Sequence, residues 1–358
     1  MVSSDPNPPG HGRAAWLAAV DDADQHHQLT TVEGWRQFVG DAPRPPELLP
    51  VGQWERLQGA ERHAELEARL DYHTRLGVVA TSALRQVVHT GRRLMLLNRH
   101  AISARRGLIV SGAAGTGKTT AITQFGKTIE LIDRQRHPGP GAERIPVVYV
   151  TVPPAATPRM LGVEFARFLG LPITARANIT DVIEAVCGVC FDTHTALVLV
   201  DEIHNLALST RNGAEVSDTL KYFSERIPAT FVYSGVDVDR AGLFAGTRGQ
   251  QLAGRFGLIP TVAFPYHDEW KGLVAAFEDA LRLYRHRPGT LVRLDRYLHQ
   301  RTGGMIGSLS HLLRGAAIEA ILSGSERLSK QLLDGIGLDH AAHRHHAAVG
   351  ARRQPAPA

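Results

Sequence analysis

Cysteine is nearly absent from this chain, with two in 358 residues, Cys187 and Cys190. A disulfide framework needs more, and a structural zinc site needs four ligands, so a single C-x-x-C with no second pair supports neither. Ile179, Val182, Ile183, Val186 and Cys190 recur at helical spacing with Cys187 beside them, so both thiols read as buried helix residues. Long apolar runs are missing as well. No stretch approaches the roughly 20 residues of a membrane-spanning helix, and the N-terminus lacks the charged-then-apolar order of a signal peptide. No membrane partner is expected, and the expected location is the cytoplasm. Internal repeats are absent, which argues against a solenoid sensor. So are zinc fingers and basic runs interleaved with aromatics. Arg105-Arg106, Arg134 and Arg136 are the nearest to a basic cluster, and they read as solvated surface. The formal net charge of +5, with 21% charged and 43% hydrophobic residues, fits a soluble chain able to bury a core and compatible with a polyanionic partner.

Lysine is scarce too, five against 35 arginines, which gives weight to where one of the five stands. Gly112-Ala113-Ala114-Gly115-Thr116-Gly117-Lys118-Thr119 fits the P-loop pattern G-x-x-x-x-G-K-[ST] without a mismatch. The β-type run Gly107–Ser111 precedes it. Ile122, Phe125, Ile129 and Ile132 follow on one face of a helix over 120–133. In that strand–loop–helix context the glycines turn backbone N–H groups inward around phosphates, and the helix N-terminus adds its positive dipole end. Lys118 reaches the β/γ-phosphates and the Thr119 hydroxyl sits on Mg²⁺. The expected ligand is ATP or GTP, held by residues 112–119 and Thr120.

A second strand is predicted over Ile145–Thr151, with helices near Arg159–Leu169 and Thr180–Phe191. Ala196-Leu-Val-Leu-Val runs into Asp201-Glu202. A strand apolar on both faces belongs to a parallel sheet covered by helices, and acids at its C-terminal end face the ligand crevice. Asp201 would orient the Mg²⁺ shell and Glu202 would polarise the attacking water as general base. Val216, Leu220, Phe223 and Ile227 mark a further helix, leading to a strand over Thr230–Ser234. Ser234 is the candidate γ-phosphate sensor at that strand's end, with Asp237 in reserve and a plain turn before Gly235 as the alternative. The last strand is predicted over Leu258–Phe264, with Arg255 just ahead of it. Beyond Pro265 the pattern is wholly helical: a stripe from Trp270 to Tyr284, then Leu291–Leu298, Leu309–Leu322 and Leu328–Leu333. The expected fold is therefore α/β, a P-loop parallel sheet flanked by helices with a C-terminal α-helical lid. Its parts are a flexible arm over 1–49 with a short helix near Val32–Val39, a helical extension over 50–104, the nucleotide-binding domain over 105–264, the lid over 265–334 and an Ala- and His-rich disordered tail over 335–358. The helices between Trp54 and His89 are expected to pack beside the nucleotide fold and wall the base.

The motif order resembles the AAA+ ATPases and, within them, the TniB-like ATPases of transposons that carry a DDE-type transposase. The resemblance rests on Ser111 through Thr120, on Asp201-Glu202-Ile203-His204-Asn205-Leu206, on Gln251-Leu252 through Arg255-Phe256, and on Thr302-Gly303-Gly304-Met305-Ile306-Gly307 ahead of a helix carrying Ala316 to Ala320. It spans about residues 105–325. It implies an ATP- and Mg²⁺-dependent homo-oligomer that binds double-stranded DNA, marks a target and stimulates the transposase. It also implies that Arg255 acts in trans as an arginine finger, with Arg248 or Arg240 next in line. The chain departs from the AAA+ pattern where many relatives place a sensor arginine at the start of the third lid helix. It reads Gly307-Ser308 there, with Arg314 two turns on, so hydrolysis is expected to be slow and to lean on the neighbouring subunit. The competing readings are a STAND-type switch, which usually carries repeat arrays, and an initiator or helicase-loader ATPase, which commonly appends a winged helix for which little room follows Leu333. A secretion- or peptidoglycan-linked ATPase would want a membrane segment.

Overall fold

Five aliphatic runs become five parallel strands: β1 Gly107–Gly112, β2 Val147–Thr151, β3 Leu197–Asp201, β4 Thr230–Gly235 and β5 Phe256–Thr261. The computed structural model describes residues 27–42, 44–75, 77–139, 144–174, 178–206, 211–238 and 254–338. The strands lie in the order β2-β3-β4-β1-β5. β3 is buried along its whole length, as its continuous apolar sequence requires of a strand covered on both faces. The helices are α1 Val32–Gly40, α2 Val51–Trp54, α3 Gly59–Thr74, α4 Ser82–Asn98, α5 Lys118–Arg136, α6 Pro158–Phe168 and α7 Ile179–Asp192. They continue with α8 Arg211–Arg226, α9 Asp268–Ala280, α10 Thr290–Arg293, α11 Asp295–Thr302, α12 Ile306–Leu322 and α13 Lys330–Gly335. Local chemistry sets their starts: Thr157 caps α6 by accepting from Met160 N at 3.2 Å, ahead of Pro158 in the first turn. Cys187 and Cys190 lie buried and unbridged on α7, and burial pushes their thiols up to about 11 and about 12. Among the described residues no single helix is long and apolar enough to cross a membrane.

Two hydrophobic cores form. One surrounds the sheet; the other fills the lid between α9, α11, α12 and α13. Three features differ from the sequence expectation. Residues 1–26 lie outside the description, but the rest of the expected arm contains α1, docked on α5 with Trp35 fully buried. The Trp35 ring stacks 6.0 Å from Tyr149, and its indole N–H donates to Glu130 at 3.4 Å. One anchoring tryptophan outweighs the surrounding polar and proline-rich composition. Second, α3 packs on the lid rather than beside the sheet: Leu66, Leu70 and Tyr72 join the lid core. Third, β5 starts at Phe256 and ends at Thr261, because its register is set residue by residue against β1 from Gly107 to Gly112. Pro260 is tolerated since β5 is an edge strand paired only with β1. The helical stripe also stops earlier than its periodicity, at Ala280, and Tyr284 leaves it to stack on Trp54 at 4.2 Å. The expected tail from residue 339 lies outside the described residues.

The α3–lid joint is made of buried polar groups. Arg69, 1% exposed, bonds Glu326 at 2.7 and 3.0 Å and Glu65 at 2.6 Å. His73, fully buried, donates from Nδ1 to Arg69 O at 2.7 Å and accepts at Nε2 from Arg282 N at 3.2 Å. Burial holds its imidazole below the ordinary value of 6.5; the charges of Arg69 and Arg282 add to this against the hydrogen bond to the Arg69 carbonyl. The unfolded chain then takes up a proton at higher pH than the folded one, so this contribution to stability is complete above about 6.5 and is lost as pH falls through that value. The thermal midpoint should fall between pH 7.5 and 5.5, and His73→Gln should flatten that slope in a pH series of melts; an unchanged slope would contradict this reading.

Candidate functional site

The C-terminal ends of β1 and β3 meet through a hydroxyl and a carboxylate. Thr119, at the start of α5, donates to Asp201 Oδ2 at 2.7 Å, and Tyr149 from β2 donates to the same oxygen at 3.1 Å. The Glu202 N–H takes Oδ1 at 2.9 Å. Asp201 is therefore 2% exposed yet fully engaged as an acceptor. Burial, with the Asp201 carboxylate next, pushes the Tyr149 hydroxyl well above its ordinary range, so it remains a donor.

The loop between strand and helix is shaped by glycine where geometry demands it. Gly117, the N-cap of α5, sits at φ +88°, in the left-handed region. A Cβ on Gly112 would lie 2.0 Å from Thr261 O, so β5 can approach β1 closely at the loop's root. Thr261 braces the loop through Thr116, hydroxyl to hydroxyl, at 2.8 Å. Lys118 is 7% exposed and donates to Ala113 O at 2.8 Å, which engages one of its three N–H donors. Burial lowers its affinity for a proton, and Glu202, Asp201 and Asp237 partly restore it. A buried ammonium at a glycine cradle, with donors to spare, fits a phosphate chain. Thr119 and Asp201 fit Mg²⁺, which typically takes one or two protein oxygens and fills its octahedron with phosphate and water.

The cleft has a volume of about 620 Å³ and three walls, within the range of small-molecule sites. One is the P-loop with Glu202 and His204. The second is the segment before α4 and the first turn of that helix, contributing Gly77, Val78, Val79 and Leu84. The third is α12, contributing Gly307, Ser310, His311 and Arg314. The lid touches the loop itself: Gly307 N donates to Gly115 O at 2.9 Å. The absence of a side chain at 307, a departure in sequence terms, is what allows that approach, since a Cβ there would meet Gly115 O at 3.1 Å. Arg314 stands at the cleft and also holds the carbonyls of His73 and Thr74 at the end of α3. Position along α12 alone gave no means of seeing that.

Glu202 lies on the cleft in the left-handed region, φ +57°, with its carboxylate 3.3 Å from His204 Nε2. Ser234 is at the end of β4, fully buried, and its hydroxyl has no hydrogen-bond partner among the described residues. Asp237 is exposed in the following turn. Arg255 is not with these groups. It precedes β5 at the opposite end of the sheet, paired with Glu225 at 3.5 Å. Gln251, Leu252, Arg240 and Arg248 lie outside the described residues. A second groove of about 370 Å³ opens at the N-terminal ends of the strands, where Arg105 and Arg136 are joined by Arg92 and Arg99. It has neither glycine cradle nor acid–hydroxyl pair, and α/β sheets bind ligands at the other end. Sequence reading missed His204 and Thr261 as site residues; their only signal was proximity to the motifs.

The sheet order, P-loop, strand-end acids and helical lid define the P-loop fold of the AAA+ class. More specifically, the chain belongs to the family of bacterial TniB proteins, whose sequence profile matches residues 77–265, more than half of its length. Among solved structures it is similar to the ORC2 protein of Aeropyrum pernix, solved as ADPNP–ADP complexes, at 18% identity and a TM-score of 0.53, covering 71% of this chain and 66% of that one. It is likewise similar to the ORC1 protein of Aeropyrum pernix, solved with DNA, at 15% identity and a TM-score of 0.54, covering 78% of this chain and 67% of that one. The chain thus spans about two thirds of the length of these proteins, and at such identities the likeness is one of fold. No curated protein matches it.

Lys118→Ala removes the buried ammonium at the glycine cradle. Truncating one partner of a buried charge pair costs about 2–5 kcal/mol, so affinity for an ATP analogue should fall by at least roughly 30-fold. The ligand-free protein should melt no lower, because a desolvated cation has been removed. Calorimetric titration and melting curves check both halves.

Proposed function

We propose that this chain hydrolyses ATP as a homo-oligomer on double-stranded DNA, marking a target and activating a DDE-type transposase. The observation that carries the hydrolytic part is the gathering of Lys118, Thr119 and Glu202 on one cleft, with Asp201 bonded to Thr119 beneath it. Glu202 accepts a proton from the attacking water, and Lys118 with the loop N–H groups binds the phosphates and holds the reacting one in place. Thr119 with Asp201 would hold Mg²⁺, which would supply charge neutralisation at the phosphate oxygens. Ser234 is assigned as the sensor on the strength of its buried, unpartnered hydroxyl at the end of β4.

Arg255 belongs to a neighbour's site. From its own P-loop it is separated by the length of β1, roughly 16 Å at about 3.3 Å per residue. It is partly exposed and can stabilise charge only on a nucleotide held by another copy. DNA and transposase come from membership of the TniB family, and a structural neighbour was itself solved with DNA. Slow, regulatory turnover follows if most of the arginine contribution arrives in trans.

Glu202→Gln should retain ATP and lose about 10²–10⁴ in turnover, the usual share of a general base. Arg255→Ala should bind ATP almost normally and lose about 10³–10⁵. Mixing Arg255→Ala with Lys118→Ala should recover part of the activity, because some interfaces then join an intact P-loop to an intact Arg255. A mixture that co-assembles yet stays inactive removes Arg255 from the role.

Binding to duplex DNA should require ATP or a non-hydrolysable analogue and weaken steeply with salt, since released counterions supply much of its free energy. Gel shifts over a salt series measure this. Equal binding with and without nucleotide would take DNA out of the nucleotide cycle.

A further inference from the structure

His204 lies between the general base and the turn that follows β4. Its Nδ1 accepts from Val236 N at 3.3 Å, and its Nε2 faces Glu202 Oε2 at 3.3 Å. A backbone amide can only donate, so the Val236 bond leaves the imidazole proton on Nε2, the nitrogen that stands 3.3 Å from the carboxylate. The turn is fixed in its own right: Val238 N donates to Ser111 Oγ at 2.9 Å, on the strand that leads into the P-loop. Gly235 lies so close to the His204 backbone that a Cβ would sit 3.0 Å from its N. A chain of contacts therefore runs from Ser111 through the β4 turn and His204 to Glu202.

Glu202 needs such an anchor. Its backbone occupies the left-handed region at φ +57° without being glycine, a conformation that persists only where the surroundings enforce it. Its side chain is 41% exposed, and the His204 ring is the side chain that stands against its carboxylate. The other charged groups around it, Lys118 on α5, Asp201 on β3 and Asp237 in the β4 turn, act on the cleft without replacing that contact. Unanchored, a long carboxylate side chain samples several rotamers, of which one meets a water in line with the phosphate.

We propose that His204 is a positioning residue for hydrolysis, holding the Glu202 carboxylate in register with the turn after β4 through an Nε2–H donor. This rests on the assignment of Glu202 as general base. It ties the base to the strand end where Ser234 lies, so a displacement of that turn is felt at the carboxylate.

The test uses His204→Ala and His204→Gln in the full chain. A hydrogen bond to a charged group is worth roughly 10- to 100-fold in rate, so His204→Ala should lower kcat by about that factor. KM and affinity for a non-hydrolysable ATP analogue should stay within about twofold, a split that general misfolding would not give. Gln carries both an acceptor for Val236 and a donor for Glu202, and should recover most of kcat. In a Glu202→Gln background His204→Ala should have no further effect. Ring ¹⁵N shifts of the wild-type protein give a readout independent of turnover and should place the proton on Nε2. An unchanged or raised kcat in His204→Ala, a parallel loss of analogue affinity, additivity with Glu202→Gln, or a proton on Nδ1 would each overturn the proposal. Failure of the hydrolytic reading looks different: Glu202→Gln itself would then turn over ATP like the wild type.

Discussion

The 2.7 Å hydrogen bond from Thr119 to Asp201 is the constraint on which the site depends. It joins residues 82 apart in the chain, and it can form only because β3, β4 and β1 are consecutive neighbours in a parallel sheet. That order brings the strand ends to one edge and starts α5 beside the end of β3. With the helix start held there, the P-loop amides face the same space as Glu202. The supports around it are polar and buried: Tyr149 from β2, the Glu202 amide, and Thr261 from β5 bracing Thr116. Each leaves an unsatisfied buried group if its partner moves, and such groups are costly. Rigidity of the cradle is thus bought by hydrogen-bond satisfaction more than by the aliphatic layer beneath it.

The same cleft is bounded by elements that belong to different cores. α12 belongs to the lid, and its Gly307 amide reaches the P-loop carbonyl of Gly115. The segment before α4 joins the two bodies: it leaves α3, which is fastened to the lid through Arg69 and Glu326, packs Val79 on the lid core, and enters α4, which packs on α5. Arg314 touches both, facing the cleft while holding the carbonyls of His73 and Thr74. A ligand that draws Arg314 toward its phosphates therefore acts on the C-terminus of α3 as well as on the lid.

The motif residues that line the candidate cleft were legible in the sequence because they follow local patterns. The P-loop is contiguous, and Asp201-Glu202 ends a strand whose apolar run identifies it as central. Elements fixed by long-range partners were less so. Periodicity carried the first lid helix to Tyr284, whereas the chain leaves the helix at Ala280 to place that ring on Trp54. The helix α3 reads as an ordinary amphipathic segment, and nothing in its spacing tells whether the lid or the sheet covers it. Residues 27–42 carry the composition of a loose arm, yet Trp35 finds a buried seat against Tyr149. His204 has a role only in three dimensions, since its partners come from β3's end and from the turn after β4.

The energetics of two arginines show how the fold separates fixed from available charge. Arg69 is 1% exposed and bonded to two carboxylates; breaking such a pair leaves an uncompensated buried charge, costing about 3–5 kcal/mol. Arg255 is 35% exposed and meets Glu225 at 3.5 Å, itself 48% exposed. Surface pairs of that kind are worth on the order of 0–1 kcal/mol. Releasing Arg255 costs little, so a nucleotide on a neighbouring copy, whose phosphates carry far more negative charge than one carboxylate, can compete for it. An arginine that served only to hold α8 against β5 would be expected to be buried and bidentate like Arg69. The weakness of the Glu225 contact leaves Arg255 available for the trans role proposed for it.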